Sequence, residues 1–144
     1  MTSLRALQTT LAAEHAAVFV YGALGGRASR TAAPQLLAAV DAAYDAHRAR
    51  RDLLTREITD AGARPVAAEA SYELPRALGT AAQVARAALA TERACAATYA
   101  YLVASTTAEQ RRWAIGALNE AAVRELAFRG TPETFPGRDE YADR

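Results

Sequence analysis

The stretch Val40-Asp41-Ala42-Ala43-Tyr44-Asp45-Ala46-His47-Arg48-Ala49-Arg50-Arg51-Asp52-Leu53-Leu54 decides how the chain is read. Leu37, Val40, Tyr44, His47, Arg51, Leu54 and Ile58 recur at steps of three and four, which is one face of a helix. That face is apolar except for a histidine and an arginine at its centre. An ionisable side chain on a buried stripe is costly unless it finds a partner, so the rest of the chain must supply one. Three other stretches do. Leu4, Leu7, Leu11, Glu14, Val18 and Tyr21 form a stripe over residues 3–24. Ala85, Ala88, Glu92, Cys95, Tyr99 and Leu102 form one over 81–104, and Trp113, Ala117, Glu120, Val123 and Ala127 one over about 107–129. Each carries one glutamate near its middle.

The predicted class is therefore all-α, an antiparallel four-helix bundle. Roughly a quarter of the residues are alanine, far above ordinary usage, and alanine is the best helix former. Gly25-Gly26 is expected to end the first helix. Ser29 or Thr31 is expected to cap the second (32–61), with Pro34 in its first turn and Gly62 as its stop. Thr80 is expected to cap the third helix, and Thr106 with Glu109 to form a capping box for the fourth. Residues 63–79 hold Pro65 and Pro75 and lose the period, so they read as a long connection. Extended, it reaches at most roughly 55 Å, enough to cross helices of roughly 35–45 Å. The other two connections are short and predict antiparallel neighbours. Residues 1–130 form the bundle domain. Residues 131–144 are a polar tail in which Phe135 is a candidate to dock on the helices.

Composition excludes several classes. The 144 residues make one domain with a net charge of +1, and all 17 basic residues are arginine. Near-neutrality gives no general attraction to nucleic acid or anionic lipid. The arginines at 48, 50, 51 and 56 lack interleaved aromatics and, except for Arg51 on the stripe, read as a solvated face. No apolar run is long enough to span a membrane, and no leader is visible. One cysteine, Cys95, cannot form an internal disulfide, which fits a reducing cytoplasm. There is no Gly-rich phosphate loop and no nucleophile–base spacing. His15 follows Glu14 by one residue and so points away from the stripe.

Two helices with a lone glutamate and two with Glu-x-x-His is the pattern that holds two metals in the core of such bundles. Here Glu14 and Glu92 stand as the lone glutamates. Helix two has Tyr44-x-x-His47, without its glutamate, and helix four has Glu120-x-x-Val123, without its histidine. On these residues the chain resembles the ferritin-like superfamily, whose topology carries one long crossover between helices two and three. It is similar, more narrowly, to an actinobacterial ferritin-like family classed as a domain of unknown function. That likeness rests on Ala12-Ala13-Glu14-His15-Ala16-Ala17, Tyr21-Gly22, residues 43–52, Ser71-Tyr72-Glu73-Leu74-Pro75, Glu92, Ala121-Ala122-Val123-Arg124 and Arg129-Gly130.

The resemblance implies a metal set of Glu14, His47, Glu92 and Glu120, suited to Fe or Mn. Against it stands a metal-free network in which Arg51, Arg124, Tyr44 and Tyr99 satisfy the same carboxylates. The sequence favours the network: a scaffold or binding module with a degenerate site, no cofactor and no catalytic residues. The alternative is a redox or oxygen-activating protein, a ferritin-like oxidoreductase. Alanine faces at 38, 42, 46 and 49 and at 87, 90, 94 and 97 suggest a homodimer. The identity of any small-molecule ligand is left open.

Overall fold

The computed structural model describes residues 2–129 and 134–137. It is all-helical there, with four helices and no strand: α1 (Thr2–Gly25), α2 (Pro34–Asp60), α3 (Ala81–Ser105) and α4 (Ala108–Arg129). No helix among the described residues is long and apolar enough to cross a membrane.

α1 packs on both α2 and α3, and α3 in turn carries α4. Along α1, Gln8 meets Arg64, Glu14 meets His47, and Gly25 lies beside Asp41. Thr10 meets Thr98 and Tyr21 meets Ala88. Partner numbers therefore fall as α1 is climbed. Two apolar clusters result. One joins Tyr21, Leu24, Val40, Ala88 and Tyr99; the other joins Leu7, Leu11, Leu54, Ile58 and Leu102. Along α1 and α2, Glu14 and His47 fall between the two clusters, and Glu92 lies among the first cluster's residues on α3.

The helix ends agree with the sequence in part. Thr80 caps α3 in a full capping box with Gln83. Gly62, at φ +77°, closes α2: its N–H donates to the Thr59 carbonyl and that of Ala63 to the Ile58 carbonyl, at 2.9 and 3.1 Å. This is a Schellman cap, with Ala63 packed against the lower cluster. A Cβ there meets no neighbour, so only the backbone conformation opposes it. Gly62→Ala is expected to lower stability by about 1–2 kcal/mol, read as a shift of the urea midpoint at unchanged slope.

Elsewhere the ends differ. α1 stops at Gly25, yet neither Gly25 nor Gly26 takes a left-handed conformation. α2 has no side-chain cap; Ser29 instead accepts from the Ala32 N–H one turn earlier, and Pro34 opens the helix. Thr106 ends α3 and turns its hydroxyl back onto the Leu102 carbonyl at 2.6 Å, so it forms no capping box with Glu109.

The 61–80 connection lies along α1. The Gln8 amide clasps it twice, donating to the Arg64 carbonyl and accepting from the Val66 N–H, both at 2.8 Å. The His15 ring meets the Val66 carbonyl at 3.0 Å, and the Phe19 and Tyr72 rings pack at 5.5 Å. Of the predicted tail, residues 131–133 and 138–144 lie outside the described residues. Phe135 does not dock; it is 60% exposed. Gly137, at φ +85°, approaches α3 instead, where a Cβ would stand 2.8 Å from the Ala96 carbonyl oxygen.

Candidate functional site

The site grows from the buried face of α2: Val40, Ala43, His47, Arg50, Leu54, Ile58. His47 has no solvent exposure and sits between two equally buried carboxylates. Its Nδ1 lies 2.6 Å from Glu14 Oε2 and its Nε2 2.9 Å from Glu92 Oε1. Both distances are those of charge-assisted hydrogen bonds. An ionised carboxylate only accepts, so with both carboxylates ionised both ring nitrogens donate and His47 is an imidazolium. Burial alone would lower its pKa. The hydrogen bonds and charges of Glu14 and Glu92 outweigh that and raise it above the ordinary 6.5. The same balance acts on Glu92 with opposite sign. Burial would raise its pKa, but His47, Arg124 and Tyr21 hold it below 4.5.

The network extends outward. Tyr21 donates to Glu92 Oε1 at 2.7 Å and stacks on the His47 ring at 5.3 Å and 17°. Arg124 Nε donates to the same oxygen at 2.9 Å. Tyr99 donates to Glu14 Oε1, and Arg50 donates both to the Tyr99 hydroxyl at 3.0 Å and to Glu120. Three carboxylates thus meet three cations, so the network is neutral when His47 is protonated. Burial, reinforced by Glu92 and Glu14 respectively, pushes the Tyr21 and Tyr99 hydroxyls well above their usual range, so both are neutral donors. Within this network, Glu92 Oε2 and Arg124 Nη2 are buried without a hydrogen-bond partner among the described residues.

Of the four residues expected to meet, Glu14, His47 and Glu92 do so directly. Glu120 sits at the rim with its side chain 65% exposed and reaches the core only through Arg50. Tyr99 and Arg124 join the network. Arg51 does not; it pairs with Asp52 at 2.8 Å, and Arg50 takes the interior place. Residues 50 and 51 lie nearly symmetrically about the α2 stripe, so periodicity alone does not choose between them. Tyr44 is half-buried beneath the Arg48 guanidinium, 5.5 Å from its ring centre, and its hydroxyl makes no hydrogen bond among the described residues.

α4 is rotated from its expected face. Ala114, Ala117, Ala121 and Glu125 are buried, while Val123 is 67% exposed. Alanine on every side of this helix hides its inward direction. Sequence reasoning therefore missed Glu125, 1% exposed and 3.9 Å from Arg93. It also missed the role of Tyr21, seven residues and two turns from Glu14, where the spacing could have revealed it.

The donor set as arranged suits protons better than a pair of metal ions. Both imidazole nitrogens are committed to carboxylates, and the fourth-helix position that would carry a histidine is an outward-facing valine. One grouping does bring soft and hard donors together: atoms of Glu14, His47 and Cys95 lie within 4.8 Å of one another. Burial, with Glu14 and Glu92 nearby, raises the Cys95 pKa and keeps it a neutral thiol.

The family model described as "Domain of unknown function (DUF4439)" matches residues 6–140. The chain belongs to the DUF4439 family. Among solved structures, this DUF4439 chain is similar to a conserved hypothetical protein, rv2844, from Mycobacterium tuberculosis. The two share 31% identity with a TM-score of 0.79, over 88% of this chain and 87% of that one. No curated protein matches it.

Proposed function

We propose that this DUF4439 chain is an antiparallel bundle of ferritin-like topology, residues 1–130, whose metal position has become a proton-and-arginine network. On this reading it is a non-catalytic scaffold or binding module. The single observation that supports it is His47 held at both ring nitrogens by Glu14 and Glu92. A doubly protonated ring has no lone pair for a metal or for proton abstraction. Buried ionic groups of this kind fix helix register rather than add stability over an apolar core. Exposed alanines at 38, 42, 49, 90 and 94 offer thin faces for a second copy, which supports a homodimer. The unpaired Cys95 fits a cytoplasmic setting.

A second reading, a reduced Fe or Mn site with redox or oxygen-activating chemistry, is favoured by the Glu14–His47–Cys95 grouping and the partnerless Glu92 Oε2. Elemental analysis of protein purified without chelators, run beside its mass in solution, separates the two. The expected result is no stoichiometric transition metal, even after aerobic loading, at a mass of two chains. One tightly held metal per chain, lost in His47→Ala, would overturn the network reading in favour of the second.

A further inference from the structure

At the end of the molecule where α3 turns into α4, a cavity of about 490 Å³ opens between α1, α2 and that turn. Its size falls within the range of small-molecule sites. The floor is apolar: Leu7, Leu54 and Leu102 are almost wholly buried, and the half-buried Trp113 ring stands over them. The mouth carries two carboxylates, Glu57 and Glu109, and no arginine lines it. In a chain whose 17 basic residues are all arginine, neither acid is ion-paired among the described residues. Glu57 accepts only from Gln110 Nε2 at 3.1 Å, and the Glu109 side chain has no hydrogen-bond partner there.

The geometry points to a binding site for a small amphipathic cation: an apolar chain or ring bearing one ammonium group. The apolar part replaces water on the leucines. The ammonium takes the rim, between two carboxylates and within reach of the Trp113 face, where cation–π attraction adds to the ion pairs. The first turn of α4 also lines the mouth and presents a partial positive charge. That is about half an elementary charge against two full negative ones, and the closing turn of α2 at Glu57 presents the opposite partial charge. Ala108 in the rim is held at φ +47°, a conformation rare for an L-residue and frequent at ligand clamps. The site meets the core network where Trp113 packs edge-on against the Tyr99 ring, 6.3 Å between centres, and no residue of the network lines the cavity.

Trp113 is the chain's only tryptophan, so its fluorescence reports the cavity directly. The full chain is titrated at neutral pH and low salt with octylamine, 1-octanol and octanoate. Octylamine is expected to give a saturable change in emission at about tenfold lower concentration than either analogue, the factor that a few exposed charge contacts supply. The surface variant Glu57→Gln/Glu109→Gln, with unchanged helicity, is expected to bring the three ligands within about twofold while leaving octanol binding as before. No saturable change with octylamine, or octanol or octanoate binding as tightly as the amine, overturns the proposal. So does an amine preference that survives in the double variant.

Discussion

His47→Leu lowers the stability of the fold by about 3–5 kcal/mol, the expected penalty for removing one partner from a buried, hydrogen-bonded charge set. The reason is the residue's position rather than its volume. Without the imidazolium, Glu14 and Glu92 face one another across a dry core, and at least one must take up a proton to remain there. Urea unfolding of wild type and variant at pH 6 measures the effect. A loss under about 1 kcal/mol, the ordinary size of a point substitution, would show that the imidazole is not holding the carboxylates. The triple replacement Glu14→Leu/His47→Leu/Glu92→Leu is expected to be milder than His47→Leu alone, because it removes the charges together with their partner. That non-additivity separates an ion-pair network from three independent core residues.

Stability is also expected to peak in mildly acidic solution and to fall on both sides. His47 has a raised pKa in the folded chain. Its contribution is complete below the ordinary value of 6.5 and is lost as pH rises toward the folded value. Glu92 has a lowered pKa. Its contribution is complete above 4.5 and is lost on acidification. Between about 4.5 and 6.5 both are present in full. Outside that window each group changes unfolding free energy by up to about 1.4 kcal/mol per pH unit. Unfolding midpoints at pH 3.5, 5.5 and 8.5 test this. In His47→Leu the alkaline decline should flatten. A wild-type midpoint that is highest at pH 8.5 would mean that His47 is neutral in the folded chain and that the carboxylates are satisfied otherwise. Tyr21, Tyr99 and Cys95, all raised by burial, add a further loss beyond about pH 9–10, where their unfolded counterparts ionise.

The helices and the centre of the site were legible in the sequence because their signals are redundant. Glu14, His47 and Glu92 stand out as charges on apolar stripes, and each stripe has enough leucine, valine or tyrosine to orient it. Where alanine dominates, legibility fails. On α4 the small side chains surround the helix, so an inward Glu125 and an outward Val123 are indistinguishable from spacing. On α2 the pair Arg50–Arg51 straddles the stripe, and the choice is made by the Tyr99 hydroxyl and Glu120, which reach Arg50 from α3 and α4. Thr106 shows a third kind of failure. Its hydroxyl had two local uses, and the preceding helix took it. Such choices belong to tertiary contacts that local spacing does not record. The cavity beside Trp113 is of the same kind, since its walls come from residues as far apart as Leu7 and Gln110.

The supply of partners to the core network from four separate helices bears on how the chain is made. Synthesis runs from α1 to α4, so α1 leaves the ribosome first of the four, with the Glu14 carboxylate displayed on its apolar stripe. Its counter-charge, His47, follows 33 residues later, and the Tyr99 hydroxyl 85 residues later. Arg124 arrives last, on α4. Glu14 thus has both its partners once α3 is made, whereas Glu92 stays short of a counter-charge until the last helix brings Arg124, which makes closure of the interior a late event.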